Sequence, residues 1–229
     1  MNDFDGDGYA LADVVLTDLQ CAHIASSLPA VAGSGHGGVR NLIDHPTVSA
    51  LLGHERIGKY LWSLVGRDLV AVKATLFDKT VEANWRVQWH QDRTIAVKER
   101  LAVSGYGPWS LKSGTLHVEA PEAVLGQMLA LRIHLDPCGA ENGPLRVIPG
   151  SHRSGKLSDD ALAQVVAGAD VVELHIPQGG FLVMRPLLVH ASSSASAAVH
   201  RRVLHLEFAP REAISPLKWH EAVDLYRAA

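Results

Sequence analysis

The chain has 229 residues, of which 47% are hydrophobic and 20% charged, a composition typical of a globular domain rather than a disordered or fibrous chain. The formal net charge is −3 and no long run of Lys or Arg occurs, which argues against a nucleic-acid partner. No apolar run approaches the roughly 18 residues of a membrane span, and Cys21 and Cys138 are too few for a disulfide framework. The acidic start is unlike a signal peptide, so we expect a cytoplasmic protein with reduced thiols.

The N-terminal part predicts mainly helices. Residues 9–16 have the pattern of a strand, Thr17 resembles a helix N-cap, and a helix is expected over 18–28, before Pro29. Apolar residues at helical spacing predict a second helical region over 45–66.

From residue 68 the pattern changes to short β-branched or alternating segments divided by Gly and Pro. Strands are predicted at 69–77, 85–92, 115–119, 128–135, 145–148, 171–176, 180–183 and 199–208. One helix, over 158–167 with Ser158 as its N-cap, interrupts them. The order predicts an α+β fold, a double-stranded β-helix (jelly roll) with the N-terminal helices packed on one sheet. We expect a single domain over 1–229, with a helical and strand part at 1–67 and a jelly-roll core at about 68–210.

The segment QWHQDR at 88–93 places a histidine and an aspartate two residues apart. Strict strand alternation puts Trp85, Val87 and Trp89 on one face and the following polar residues on the other: Asn84, Arg86, Gln88, His90 and Asp92. A polar face of this kind either meets solvent or lines a hydrated cavity, and alternation alone leaves both interpretations open.

A second His-x-Asp occurs at His134 and Asp136. Fewer residues lie between Asp136 and the later His190 than between Asp92 and His190, which leaves less room for the jelly-roll strands in between. Asp136 is also followed by a proline, which predicts a turn there. We therefore favour His90 and Asp92 as the pair that binds a metal.

The C-terminal third supplies the remaining candidates. An apolar strand pair over 179–190 ends in His190, Ser192 follows two residues later, and Arg201 opens the last long strand. A His-x-Asp and a distant His can present two imidazoles and one carboxylate to one side of an Fe(II) ion, leaving positions open. An Arg with a neighbouring hydroxyl can bind a carboxylate of a cosubstrate.

Three blocks in this order resemble the phytanoyl-CoA dioxygenase-like branch of the Fe(II)/2-oxoglutarate oxygenases: WHQD at 89–92, ENGPLRVIPGSHRSGKL at 141–157 and MRPLLVHASSSASAAVHRRVLHLEF at 184–208. The resemblance implies Fe(II), 2-oxoglutarate and O2 as cofactors, and a reaction that releases succinate and CO2. It places Fe(II) on His90, Asp92 and His190. It places the distal carboxylate of 2-oxoglutarate on Ser192 and Arg201. Related halogenases have Gly or Ala at the carboxylate position, so an intact Asp92 favours hydroxylation or desaturation.

The expected substrate is a small molecule, and no oligomeric state follows from the sequence. Arg86 and Gln88 are candidate substrate contacts because they share the predicted polar face with His90. Arg132 is a third candidate because the resemblance places it at a cavity-lining position. Two alternatives remain at this point: a cupin-type metalloenzyme that needs no 2-oxoglutarate, and a non-catalytic jelly roll that binds a ligand.

Overall fold

The computed structural model describes residues 3–12, 14–31, 38–80, 83–196 and 200–226. Its helices are α1 (Phe4–Asp7), α2 (Asp18–Ser27), α3 (Pro46–Leu52), α4 (Glu55–Val65), α5 (Glu122–Leu125) and α6 (Asp159–Ala167). Within these ranges, no helix is both long enough and apolar enough to cross a lipid bilayer.

The strands form two larger antiparallel sheets and one small one. They are β1 (Tyr9–Ala12), β2 (Gly38–Val39), β3 (Val70–Lys79), β4 (Val87–His90), β5 (Thr94–Ala96), β6 (Trp109–Lys112), β7 (Thr115–Glu119), β8 (Leu129–His134), β9 (Leu145–Val147), β10 (Val172–Leu174), β11 (Phe181–Met184), β12 (His190–Ser192), β13 (Arg201–Ala209) and β14 (Val223–Asp224). The major sheet has the order β1-β11-β8-β13-β3-β14, with β2 also on β3, and the minor sheet has the order β10-β9-β12-β4. A three-stranded sheet, β5-β7-β6, extends from the end of β4. This arrangement confirms the predicted jelly roll with added helices.

Two predicted helix N-caps are confirmed. The Thr17 hydroxyl accepts a hydrogen bond from the Gln20 backbone, and the Gln20 side chain accepts one from the Thr17 N–H, which together form a capping box. The Ser158 hydroxyl accepts from the Ala161 N–H at the start of α6.

The second helical region, predicted over 45–66, is two helices rather than one. Gly53 ends α3, and the His54 ring accepts a hydrogen bond from the Arg56 N–H to cap α4. The apolar spacing did not reveal this break, because both helices bury their apolar residues in the same core.

The N-terminal and C-terminal parts of the chain both contribute strands to the major sheet, through β1 and β14. This arrangement favours the one-domain interpretation, and the domain bounds of 1–229 stay a prediction.

The two faces of the major sheet differ in polarity, as β13 illustrates. Its Leu204, Leu206 and Phe208 are buried in the core that also contains Ile24 of α2 and Ile57 of α4. The alternate residues Arg201, Val203, His205 and Glu207 therefore point to the opposite side of the sheet, into the jelly roll. The helices cover one face, and the other face is free to form a binding site.

The inward side chains of β3, β13 and β8 lie in cross-strand rows, which we call the inner wall. One row pairs Lys79 with Arg201, and another pairs Lys73 with Glu207. Between them, a row aligns Thr75, His205 and Arg132. Charged side chains on an inward face indicate a cavity that binds polar ligands.

The minor sheet contains a β-bulge in β4. His90 pairs with His190, but Ser192 pairs with Val87, so three residue steps of β4 oppose two steps of β12. The extra residue breaks the alternation, since Val87 then faces the same cavity as His90. The predicted face assignment, with Trp85 and Val87 opposite His90, is therefore wrong.

Candidate active site

Three side chains with metal-binding atoms meet in the minor sheet. His90 ends β4, His190 begins β12 directly opposite it, and Asp92 follows two residues after His90. The Asp92 backbone N–H donates to the Pro186 carbonyl at 2.8 Å, which fixes the chain as it leaves β4. One potential ligand atom from each of the three side chains lies within 4.8 Å of the other two. The Nε2 atoms of His90 and His190 are each 3.7 Å from an Asp92 carboxylate oxygen.

Backbone carbonyls select the tautomer of both rings. The Nδ1 atom of His90 is 2.8 Å from the Gln88 carbonyl, and Nδ1 of His190 is 2.8 Å from the Leu188 carbonyl. A carbonyl oxygen only accepts, so in the neutral form of each ring Nδ1 carries the proton and Nε2 keeps its lone pair. Outer hydrogen bonds of this kind orient histidines that bind metals.

The charges of the three groups suit a cation. Burial, followed by the facing His90, lowers the pKa of His190 to about 4, so this ring is neutral at pH 7. Burial by itself would raise the pKa of the Asp92 carboxyl, but His190, His90, His205 and Lys73 together hold it well below its usual range. The site therefore offers the ionised carboxylate of Asp92 and the neutral imidazole of His190 at pH 7.

Two imidazole nitrogens and one carboxylate oxygen on one side of a site form the facial triad of nonheme Fe(II) enzymes. Within the part of the chain that the structure describes, these three residues are the group of His, Cys, Asp and Glu side chains able to hold a metal. The donor types, the free Nε2 lone pairs and the ionised carboxylate thus all fit Fe(II).

Arg201, Ser192 and Lys79 meet beside this site. The Lys79 ammonium donates to the Ser192 hydroxyl at 3.2 Å and lies over the Trp85 ring, 5.5 Å from its centre. Arg201 is 4% exposed and donates to the Gly143 carbonyl, while its Nε has no hydrogen-bond partner. Burial, and then the charge of Arg201, lowers the pKa of Lys79 to about 7. The buried Arg201 guanidinium, with its unused Nε–H and with the Ser192 hydroxyl beside it, fits an anion such as the distal carboxylate of 2-oxoglutarate.

Arg132 adds another buried cation to the cavity. It is 8% exposed, its Nε has no partner, and its Nη1 is 3.3 Å from Nδ1 of His205. The guanidinium lies over the Phe77 ring, 5.8 Å from its centre. Burial, and then the charge of Arg201, lowers the pKa of Arg132 to about 10. The mutual repulsion of these cations favours binding of an anion here.

One cavity of about 210 Å³ joins these groups. Its lining includes the three candidate iron ligands, the two candidate cosubstrate contacts, and Lys73, Arg132, His205 and Glu207 of the inner wall. The sequence-predicted residues that the structure brings together here are His90, Asp92, His190, Ser192, Arg201 and Arg132.

The structure does not bring Arg86 and Gln88 into this cavity, because both residues are exposed and neither is part of the cavity lining. The sequence alone did not assign a role in the site to Glu207 or Lys73, which line the cavity, or to Lys79 behind Ser192. The alternation of β3 and β13 contained the missing signal. Glu207 shares a face of β13 with Arg201, and Lys73 and Lys79 lie opposite these two residues on β3.

The two residues of the competing pair, His134 and Asp136, have different surroundings. Asp136 binds Arg202 through both carboxylate oxygens, at 2.7 and 2.8 Å, and also accepts from the Arg202 backbone N–H. His134 is buried on the inner wall, and neither of its ring nitrogens has a hydrogen-bond partner. The preference for His90 and Asp92 as the candidate metal pair agrees with this arrangement.

A larger cavity, of about 370 Å³, lies between α4 and the C-terminal segment and is lined by Trp62, Leu69 and Tyr226 among others. The metal-binding cluster does not extend to it. The chemistry is therefore concentrated in the smaller cavity inside the jelly roll.

A facial triad on a jelly roll, with buried cations beside it, defines the class of nonheme iron oxygenases that use a dicarboxylate cosubstrate. A profile of the phytanoyl-CoA dioxygenase (PhyH) family matches residues 4–203. The chain belongs to this family, and it is a 2-oxoglutarate-dependent nonheme iron dioxygenase whose cofactors are Fe(II), 2-oxoglutarate and O2. Family membership favours this enzyme class over the cupin-type and non-catalytic alternatives.

Several solved structures have a similar fold. AviO1 from Streptomyces viridochromogenes Tue57 is 26% identical, with a TM-score of 0.64 over 91% of this chain and 92% of that chain. EctD from S. alaskensis is 17% identical, with a TM-score of 0.69 over 98% of this chain and 81% of that chain. The epimerase SnoN, solved with Fe3+, alpha ketoglutarate and nogalamycin RO, is 18% identical, with a TM-score of 0.67 over 91% and 81%. A search of curated proteins found no match to the chain.

Proposed function

We propose that the protein hydroxylates or desaturates a small molecule in an Fe(II)- and 2-oxoglutarate-dependent reaction that releases succinate and CO2. The observation that carries this proposal is the convergence of His90, Asp92 and His190, with both Nδ1 atoms already engaged by backbone carbonyls. Such an arrangement needs no rearrangement of the rings to bind a metal.

In this proposal His90, Asp92 and His190 hold Fe(II), and Arg201 and Ser192 hold the distal carboxylate of 2-oxoglutarate. When bound, iron with 2-oxoglutarate and O2 supplies the oxidising power for attack on a C–H bond. Arg201 orients the cosubstrate because its buried guanidinium fixes the carboxylate in one place. Arg132 remains a proposed substrate or cosubstrate contact. The exposure of Arg86 and Gln88 gives no support to their proposed role.

The protein residues also determine which reaction is favoured. With iron bound, the Asp92 carboxylate would take a metal position that a halide needs, which favours hydroxylation or desaturation over halogenation. His190 and Ser192 are 4% and 3% exposed, and this burial would limit the access of water to a bound metal from their strand.

The decisive experiment combines two readouts on purified protein. Under anaerobic conditions, Fe(II) and 2-oxoglutarate added together should produce a visible absorbance that neither produces alone. After O2 is admitted, succinate should form slowly even without substrate. Absence of both signals in a folded, iron-loaded protein would contradict the proposal. Iron binding without consumption of 2-oxoglutarate would instead support the cupin-type alternative.

A further inference from the structure

The inner wall is longer than the cosubstrate. Glu207 lies six residues beyond Arg201 on β13, a distance of roughly 20 Å at about 3.3 Å per residue. The five-carbon chain of 2-oxoglutarate has four C–C bonds of about 1.5 Å, so it spans no more than roughly 6 Å. A cosubstrate anchored on Arg201 therefore leaves the row of Lys73 and Glu207 for the substrate.

A directed set of hydrogen bonds fixes this row. The Lys73 ammonium is 2.6 Å from the Glu207 carboxylate. Arg132 can only donate, so Nδ1 of His205 accepts from it, and the proton on Nε2 of His205 faces Glu207 at 3.4 Å. Glu207 thus holds both Lys73 and His205 in place. Lys73 lines the cavity, and two of its three N–H groups remain for a ligand.

Further cations surround this row. Lys112, half-buried on β6, donates to the hydroxyl of Thr94 at 3.0 Å, and Thr94 follows Asp92 by two residues in the chain. Burial, and then the positive charges of Lys73 and Arg40, lowers the pKa of Lys112. Apart from the candidate iron ligand Asp92, the acidic group that acts on Lys112 is Glu207. Glu207 is paired with Lys73 inside the cavity, and the charges of Lys112 and Arg40 act on this row from outside the cavity lining.

We propose that the substrate carries a carboxylate that binds the Lys73 ammonium, with Glu207 as the residue that positions Lys73. This inference rests on the proposed function, because it assigns the end of the cavity opposite the cosubstrate. A charge-assisted hydrogen bond inside a partly dry cavity is strong enough to select an acid over its neutral analogue. The cavity volume of about 210 Å³ restricts the substrate to a small molecule.

The test uses small carboxylic acids, each paired with its primary amide, and measures succinate formation above the basal rate. The wild-type protein should respond to one or more acids and respond at least about tenfold less to the matching amides. Lys73→Gln should raise the acid concentration for half-maximal stimulation at least about tenfold, and Lys73→Arg should recover most of the loss. The exposed-lysine variant Lys98→Gln is the matched control.

Glu207 is tested by a different readout. Glu207→Gln should raise the half-maximal acid concentration more than it lowers the maximal rate, since the carboxylate acts through Lys73. If Lys73→Gln fails to fold with Glu207 left unpaired, the double variant Lys73→Gln/Glu207→Gln removes both charges and should still lose the preference for acids.

Equal stimulation by amides and acids, no stimulation by any acid, or an unchanged acid response in Lys73→Gln would overturn the inference. The proposed function is judged separately, by anaerobic absorbance and by basal succinate formation without any acid. A protein that passes those two tests and shows no acid preference refutes only the substrate assignment.

Discussion

At the scale of single residues, one hydrogen bond on each of the two histidines determines how the candidate iron site is arranged. The Nδ1–H groups of His90 and His190 are both tied to carbonyls two residues earlier in the chain. The backbone of each strand thus sets the tautomer and orients the ring, so the free Nε2 atoms face Asp92 before any metal arrives.

Removal of either imidazole should abolish tight iron binding. His90→Ala and His190→Ala each remove one of three ligands, so we expect Fe(II) affinity to fall by more than the roughly 10–100-fold typical of losing an outer-shell partner. The measurement is the anaerobic absorbance of Fe(II) with 2-oxoglutarate, and the exposed His175→Ala is the control. Retention of wild-type absorbance by His190→Ala would remove that residue from the ligand set.

Variants of the buried residues beside the metal site should weaken the binding of 2-oxoglutarate without weakening the binding of Fe(II). Arg201→Ala removes the charge that fits the distal carboxylate, and Lys79→Met removes the donor that holds the Ser192 hydroxyl. A hydrogen bond to a charged group contributes about 1.5–3 kcal/mol. We therefore expect the apparent KM for 2-oxoglutarate to rise roughly 10–100-fold in each variant. Fe(II) binding without cosubstrate should change little. An unchanged KM in Arg201→Ala would rule out its proposed role.

At the scale of the element, the bulge in β4 decides which side chains reach the cavity. Val87 lines it and Arg86 is exposed, the reverse of strict alternation counted from His90. Val87→Phe should fill part of the cavity and raise the KM for 2-oxoglutarate or substrate several-fold, while Arg86→Phe should change neither by more than about twofold, as is usual for exposed positions. Steady-state kinetics of the two variants provide the measurement. Loss of binding in Arg86→Phe instead would restore the alternating assignment.

The same strand shows what the sequence could and could not predict. The spacing of His90, Asp92 and His190 was visible because these residue types are chemically distinctive. The bulge was not visible, since one extra residue leaves no mark in an alternating pattern and is set by pairing with β12. Glu207 was missed although it alternates with Arg201, because its role depends on Lys73 across the sheet.

Helices were easier to predict where a local cap defines them. Thr17 and Ser158 cap α2 and α6 with contacts confined to three residues, so the sequence contains all the information needed. The short β6, opposite β7, was not predicted. Its WSLK segment is largely exposed, so it lacks the apolar alternation of a half-buried strand.

At the scale of the whole molecule, the jelly roll keeps polar groups on its inner wall out of water. His134 is 3% exposed with no hydrogen-bond partner, and it lies near two arginines. Burial, and then the charges of Arg132 and Arg201, lowers its pKa well below the usual value. The stability of the fold is thereby linked to pH through a residue that binds no metal in our assignment.

The sign of this linkage follows from where the proton binds. Below the ordinary histidine pKa of about 6.5, the unfolded chain protonates His134 while the folded protein does not. The stabilisation is fully present above about pH 6.5 and is lost as the pH falls, at up to about 1.4 kcal/mol per pH unit for one proton. His117 and His190 have lowered pKa values of the same origin and add to the slope.

His134→Leu should therefore reduce, without abolishing, the loss of stability between pH 7.5 and 5.5. Because it replaces an unpartnered buried polar ring with an apolar side chain, we expect its free energy of unfolding at pH 5.5 to equal or exceed that of the wild type. Urea unfolding of the metal-free protein at the two pH values provides the measurement, with the exposed His23→Gln as control. If His134→Leu kept the full pH slope, the proton uptake on unfolding would have to come from other histidines, and His134 would be protonated or hydrogen-bonded in the fold.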